Sequence, residues 1–148
     1  MKTLKSYINE KLSLDDIVIY KPKTKDELEK LIVNLIKERG LDAGLNDIDT
    51  SLIEDMSQLF YGSKFNGDIS RWDVSNVNRM DFMFYNSKFN RDISRWDVGR
   101  VENMWRMFYN SEFNQNISRW DVSNVENMSY IFNGCPLENN PPKWYEQF

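Results

Sequence analysis

Four tryptophans recur along this chain at a constant interval, and this regularity limits the folds it can adopt more than any other feature. Trp72, Trp96, Trp120 and Trp144 are each separated by 24 residues. A fixed period of about 20 to 50 residues indicates stacked copies of one supersecondary unit, because a single copy cannot bury its own apolar face. The sequence therefore predicts a repeat protein.

Methionine and phenylalanine recur at the same interval and mark further positions of the predicted core. They include Met80, Met104, Met128, Phe84, Phe108 and Phe132. Valine and isoleucine share the phase of the tryptophans, so we expect the tryptophan row to face inwards with them. The alternative is an exposed tryptophan row on which sugars stack.

One repeat contains two different hydrophobic patterns. In its first half Trp96 and Val98 alternate with charged residues, as in a strand with one buried face. In its second half the apolar residues follow the stripe of a short amphipathic helix: Val101, Met104, Met107 and Phe108. Each coil is thus predicted to hold a strand and about two helical turns. The predicted fold class is an α/β repeat, a short right-handed solenoid of leucine-rich-repeat type with an N-terminal helical cap.

Residues 1–40 do not follow the period and form the predicted cap. Thr24 and Glu27 make a capping box, and apolar residues on one face follow it as far as Gly40, a typical C-terminal stop. This predicts a helix over residues 25–39 that covers one end of the stack, where apolar side chains and unpaired backbone groups would otherwise be exposed. Two shorter elements are predicted before it, a helical segment at 5–12 and a strand at 17–20.

The remaining chain, residues 41–148, is assigned to the solenoid. We predict about four coils of 24 residues, the first of them degenerate and the last followed by a truncated C-terminal cap. Their bounds are 41–64, 65–88, 89–112, 113–136 and 137–148.

Composition argues against several classes of function. The net charge of −4 disfavours a general nucleic-acid binder, which must neutralise many phosphates. The chain has no histidine and one cysteine, Cys135, so zinc sites and histidine-dependent catalytic triads are not expected. Aspartates could serve acid–base chemistry or bind calcium, but they recur with the repeat and show no EF-hand spacing, whereas a catalytic residue need occur only once. We therefore expect no enzyme activity, no cofactor and no metal.

Signals for export or membrane insertion are not evident in the sequence. The first residues lack the apolar core of a signal peptide, and no segment is long and apolar enough to cross a membrane. We therefore expect a cytoplasmic protein without membrane contact.

The repeat itself resembles a known family. Residues 89–98 read FNRDISRWDV and residues 125–132 read VENMSYIF. Both resemble the repeats of BspA-like leucine-rich-repeat surface proteins, which are large bacterial surface proteins and lipoproteins, and the resemblance extends over residues 41–143. It implies an α/β solenoid used for adhesion and protein recognition, with no catalytic residue to carry over. The chain differs from that family in its short length, its N-terminal helix and its lack of an export signal, which fits equally a small recognition scaffold encoded by a phage or another mobile element.

Two polar columns also follow the repeat. Asn66, Asn90 and Asn114 are expected to form an amide ladder in which each side chain satisfies backbone groups of the adjacent coil. An arginine column is expected on the outer strand face, neutralised by aspartates two residues further along: Arg71, Arg95 and Arg119. The alternative role of this column is a docking strip for an acidic partner.

Positions at which the copies differ are the best candidates for function, because the fold does not dictate them. One position carries Trp105 where its equivalents are Ser57, Asp81 and Ser129. Neighbouring positions add aromatic and arginine side chains, the types enriched in binding hot spots: Arg106, Phe82, Tyr130, Arg100 and Arg79. The alternative is that Trp105 packs on the neighbouring helix or on the cap.

The sequence thus predicts a non-enzymatic module that recognises another macromolecule, a protein, through the residues that break the repeat. Two alternatives stay open, an inhibitor of a host enzyme or defence complex encoded by a phage or mobile element, and a structural component that oligomerises through an end of the stack. A compact acidic protein suits the basic channel of a nucleic-acid enzyme, whereas self-association in solution would indicate the structural role.

Overall fold

The computed structural model describes residues 19–147. Within this range the chain forms one α-helix, α1 (Lys25–Arg39), and two 3-10 helices, Pro136–Glu138 and Lys143–Gln147. The helical segment predicted at 5–12 lies outside the described residues, as does the first half of the strand predicted at 17–20.

Helix α1 has the bounds that its capping box predicts. The Thr24 hydroxyl accepts a hydrogen bond from the Glu27 N–H at 3.2 Å, and the Glu27 carboxylate accepts one from the Lys23 N–H at 2.7 Å. Gly40 ends the helix with a φ of 98°, which a residue without a Cβ adopts easily. The buried face of the helix consists of Leu28, Ile32 and Leu35.

The predicted α/β fold class is wrong. Residues 19–147 contain no sheet and no helix inside the repeats, and their strand-like pairing is limited to four isolated parallel bridges. The repeat therefore does not consist of a strand and a short helix. It is built from successive turns, and its backbone hydrogen bonds run both within a repeat and between neighbouring repeats.

The segment predicted as a helix shows why. The N–H groups of Met104, Arg106 and Phe108 donate to carbonyl groups of the next repeat at 2.8, 3.1 and 3.0 Å, and not to the carbonyl four residues earlier. Arg106 and Asn110 have φ values of 52° and 51°, in the left-handed region that a right-handed helix cannot contain. The apolar residues at helical spacing point into the centre of a turn-rich coil.

The segment predicted as a strand is also interrupted by turns. The Trp96 N–H donates to the Ile93 carbonyl at 3.2 Å, and the Asp97 carboxylate accepts from the Gly99 N–H at 3.0 Å. Both bonds are local, so the chain reverses direction before an extended segment can develop. Alternation over two buried residues was too short a pattern to specify a strand.

The repeats nevertheless stack in register, as their period predicts. Parallel bridges join residues that are 24 positions apart, from Asp55 through Arg79 and Asn103 to Asn127. The predicted asparagine ladder is confirmed, since the Asn66 and Asn90 side chains accept bonds from backbone N–H groups one repeat later, each at 2.9 Å.

The four tryptophans form a buried row, and an exposed sugar-stacking platform is excluded. Each is at most 9% exposed, and each indole N–H donates to a carbonyl 27 residues earlier, at 2.8 to 3.1 Å. The predicted methionine and phenylalanine core positions are buried as well, at 7% exposure or less. Every indole thus fixes one repeat to the one before it, through both packing and a hydrogen bond.

Helix α1 packs on the first repeat. Its buried residues belong to the same hydrophobic cluster as Leu45, Ile48 and Phe60. Lys25 donates to the Ser57 hydroxyl at 3.0 Å, at the start of the helix. The start of α1 therefore lies beside the column of positions that contains Trp105.

Short turns closed by aspartate side chains predict how stability depends on pH. The carboxylates of Asp68 and Asp92 accept from the N–H two residues further on, each at 2.9 Å, and these bonds lower their pKa below the usual 3.8. A lowered folded-state pKa contributes stability that is present above the unfolded value and lost as the pH falls through the folded one. Acidification below about pH 4 should therefore destabilise the fold.

The substitution Asp92→Asn removes the carboxylate charge but should keep the turn. Asn116 occupies the equivalent position and accepts from the Ser118 N–H at 3.0 Å, so an asparagine already serves this turn in the next repeat. We expect the variant to melt like the wild type at about pH 7 and to lose less stability at about pH 3. Thermal melting at both pH values measures this, with Asp92→Ala as the control that loses the turn at each. Equal acid sensitivity of wild type and Asp92→Asn would contradict the assignment.

Candidate protein-binding face

Aromatic side chains from four successive repeats meet on one surface. We define the aromatic face by its seven residues: Tyr61, Phe82, Tyr85, Trp105, Arg106, Tyr109 and Tyr130. Four of them were predicted binding residues. The three tyrosines at 61, 85 and 109 were not predicted, although they recur at the 24-residue interval that revealed the other columns.

Direct ring contacts hold the aromatic face together. Tyr61 stacks on Tyr85 at 4.8 Å, and Tyr85 stacks on Tyr109 at 5.1 Å. Phe82 meets the edge of Trp105 at 4.8 Å. Trp105 is half-buried by these contacts, while Tyr61 keeps 52% of its surface exposed. The rings are thus held in place by contacts with one another.

Arg106 is enclosed by three rings of this surface. Its guanidinium carbon lies 5.0 Å from the centroid of the Trp105 ring and 5.3 Å from those of Tyr109 and Tyr130, all within cation–π range. Its Nε atom is buried and has no hydrogen-bond partner among residues 19–147. In this part of the chain the arginine is held by aromatic contacts and not by a carboxylate.

The column that contains Arg106 has an unfavourable backbone conformation. Its four φ values are 61°, 58°, 52° and 59°, at Gln58, Phe82, Arg106 and Tyr130. A second left-handed column four residues further on carries the residues that tolerate this conformation, which are Gly62, Asn86, Asn110 and Gly134. Bulky side chains in the first column cost about 1–2 kcal/mol each in strain. The fold does not require them there.

Substitutions at Gln58 measure this strain without disturbing the rings. Gln58 is exposed and is not one of the seven residues of the aromatic face. We expect Gln58→Gly to raise the free energy of unfolding by about 0.5–1 kcal/mol, and Gln58→Val to lower it, because a β-branched residue tolerates positive φ least. Urea denaturation of the three proteins gives their order of stability. A reversed order would contradict backbone strain at this position.

Two of the predicted arginines lie elsewhere. Arg79 donates to Asp81 at 3.1 and 3.0 Å and lies 4.0 Å from Asp55, so its charge is compensated. Arg100 donates to Asn76 at 3.0 Å and lines a shallow groove of about 490 Å³ together with three glutamates, at positions 54, 102 and 126. Neither makes a cation–π contact with the aromatic face.

The remaining arginine column does not form the predicted salt-bridged ladder. Arg71, Arg95 and Arg119 are exposed, and within residues 19–147 none of them forms an ion pair. The neighbouring aspartates instead accept from backbone N–H groups two residues further on, each at 3.0 Å: Asp73, Asp97 and Asp121. The outer strand face on which the ladder was predicted does not exist.

Most of the chain matches a known protein family. Residues 30–144 match the family described as Mycoplasma protein of unknown function, DUF285. The chain belongs to this family. The match includes the four tryptophans of the buried row and the whole aromatic face, with Trp105. No curated protein and no solved structure matches the sequence.

Other chemistry in this DUF285 chain is limited. Cys135 is buried, its thiol donates to the Phe113 carbonyl at 3.1 Å, and burial raises its pKa, unlike that of an activated nucleophile. Across residues 19–147 no group of three or more acidic, cysteine or histidine side chains is placed to hold a metal ion. The same part of the chain contains no helix with the length and apolar character needed to span a bilayer.

Proposed function

We propose that this chain is a non-enzymatic recognition module that binds another protein through the aromatic face. The observation that carries the proposal is the placement of Phe82, Arg106 and Tyr130 at strained backbone positions. A local rule that is broken without a structural benefit is typical of a functional site. Glycine or asparagine would serve the fold better there, as in the second left-handed column.

The composition of the face supports the same function. Tryptophan, tyrosine and arginine are the residues enriched in binding hot spots, and large exposed aromatic patches are uncommon on monomers without a partner. The stacked tyrosines lose little conformational entropy on binding because their neighbours already order them. The proposal also includes kinship with BspA-like surface proteins, whose repeats serve adhesion and protein recognition.

A comparison of variants in a pull-down tests the proposal. The face variant combines Trp105→Ala with Arg106→Asn, and the control variant combines Arg95→Ala with Arg119→Ala on the separate arginine column. A hot-spot loss of about 2 kcal/mol reduces affinity about 30-fold, so a partner captured by wild type and control should be nearly absent from the face variant.

Quantitative mass spectrometry of the captured proteins gives the ratio, after circular dichroism has shown that both variants are folded. Equal recovery of every partner by the folded face variant would remove the face as the binding site. The identity of a captured partner also decides whether the chain acts as an inhibitor, because a host enzyme or defence protein would then be recovered.

One observation favours a structural role as the second candidate. In the segment 89–112 the N–H groups of Met104 and Arg106 donate to the following repeat at 2.8 and 3.1 Å, whereas the equivalent N–H groups of Met128 and Tyr130 donate to no described residue. An open edge of this kind can pair with another chain. Light scattering that shows an oligomer growing with concentration would favour this role, and a monomer at all concentrations would favour recognition.

A further inference from the structure

Arg106 carries a charge that the described part of the chain does not neutralise. No carboxylate among residues 19–147 forms an ion pair with it, and no described residue accepts a hydrogen bond from its side chain. A guanidinium has five N–H donors and no acceptor, so contact with three aromatic rings satisfies its charge only in part. Arg106 therefore has no anionic partner among the described residues.

Other cations in this region are paired. Lys25 lies 3.7 Å from the Glu29 carboxylate, and Arg79 is held by two hydrogen bonds from its guanidinium to Asp81. The chain has 23 acidic residues against 19 basic ones, so carboxylates are not scarce. Unlike the exposed arginines at 71, 95 and 119, which also form no ion pair within residues 19–147, Arg106 lacks a counter-ion inside a cluster of aromatic rings.

The surrounding rings determine how an anion can approach. Because Nε is buried, only the two terminal nitrogens of the guanidinium remain for a ligand. Such a fork matches a carboxylate, which it binds through two parallel N–H···O bonds. The rings of Trp105 and Tyr130 lie against the partly buried guanidinium, and a bond made in a less polar environment is stronger.

A carboxylate fits this site better than a phosphate group does. A phosphorylated side chain carries a charge of about −1.5 to −2 and is recognised by clusters of arginines. Here a single unpaired cation is available, and the paired carboxylates of Asp55 and Asp81 lie on neighbouring repeats. A singly charged ligand is therefore matched in charge, whereas a doubly charged one is not.

We propose that Arg106 binds a carboxylate of the protein partner, an aspartate or glutamate side chain that stands next to an apolar residue. The carboxylate meets the guanidinium fork, and the apolar neighbour packs on Trp105 and Phe82, whose rings are in edge contact at 4.8 Å. This inference rests on the proposed function and specifies the chemistry of the partner.

Selection of random peptides displayed on phage against the immobilised chain tests the proposal. We expect the selected peptides to share an acidic residue beside an apolar one. A synthetic peptide of the selected sequence is then titrated against wild type, Arg106→Gln and the control Arg95→Gln by calorimetry. Glutamine is compatible with this backbone position, because Gln58 occupies it in the first repeat.

We expect a double-mutant cycle to show strong coupling between Arg106 and the acidic residue of the peptide. Arg106→Gln lowers the affinity for the peptide about 30-fold. Replacing the acidic residue of the peptide by its amide lowers the affinity for wild type by a similar factor. The amide peptide binds wild type and Arg106→Gln equally, and Arg95→Gln binds like wild type. Additive losses, peptides without an acidic residue, or tighter Arg106-dependent binding of a phosphoserine version would each overturn the proposal.

Trp105→Ala separates failure of this inference from failure of the proposed function. If Trp105→Ala abolishes peptide binding while the acidic residue proves dispensable, the face binds protein but Arg106 binds no carboxylate. If the peptides bind Trp105→Ala as tightly as wild type, or none depends on any residue of the face, both ideas fail together.

Discussion

Replacing Trp96 by alanine is expected to lower the free energy of unfolding by about 3–5 kcal/mol. The side chain is 3% exposed, stacks on Trp72 at 6.5 Å and donates from its indole N–H to the Ile69 carbonyl at 3.1 Å. Its removal leaves a cavity between two repeats and a buried carbonyl without a donor. Because net stability is typically about 5–15 kcal/mol, this single change should bring the chain close to unfolding.

Urea denaturation followed by circular dichroism measures the loss without depending on tryptophan emission. Trp96→Phe separates the two contributions, since it keeps most of the packing but leaves the Ile69 carbonyl unpaired, at a cost of about 1–3 kcal/mol. Trp105→Ala is the matched control, because that tryptophan is half-buried on the aromatic face and outside the row. Equal losses for Trp96→Ala and Trp105→Ala would show that the row is not the main support of the stack.

The burial of the tryptophan row was predictable from the sequence because it depends only on period and polarity. Residues that recur at one interval and share the phase of valine and isoleucine occupy equivalent inward positions whatever the local conformation is. The same argument predicted the asparagine ladder, whose side chains reach the backbone of the next repeat at Asn90 and Asn114.

The conformation inside each repeat was not predictable in the same way. The stripe from Val101 to Phe108 suits a helix, but it equally suits a coil whose turns bring every third or fourth residue inwards. What decides between them is the direction of the backbone N–H groups, and the bond from Phe108 to the next repeat is a tertiary interaction. Tertiary interactions of this kind override local helix propensity. The positive φ values of Arg106 and Asn110 belong to the same turn-rich conformation.

The aromatic face was predicted in part. Phe82 and Arg106 share a phase and therefore lie on neighbouring repeats, so their variability and their proximity could both be inferred. The tyrosines at 61, 85 and 109 were not predicted, because a regular column suggests structure, although a regular column can also face a partner. The prediction of a salt-bridged arginine ladder was wrong because the aspartate neighbours close turns, as Asp97 does with the Gly99 N–H.

Gly67→Ala is expected to lower the free energy of unfolding by about 2–3 kcal/mol, the second large effect. A Cβ at this position would collide with the Ala43 carbonyl oxygen and with the ring of Phe65. Neither can yield easily, because the carbonyl belongs to the backbone of the preceding segment and Phe65 is 0% exposed. The equivalent positions Arg91 and Gln115 accept long side chains, so the close approach is particular to this junction.

Gly44→Ala is the matched control. A Cβ there would find its nearest neighbour at 3.8 Å, an ordinary contact, and should change stability by less than about 0.5 kcal/mol. Because Gly67 lies where the first segment meets the regular repeats, the loss should be local and release α1 before the tryptophan row opens. Hydrogen exchange of Gly67→Ala should then accelerate at the amides of Leu28 and Ile32 while those of Trp96 and Trp120 stay protected. Uniform acceleration across the chain would indicate that the junction is part of one cooperative unit.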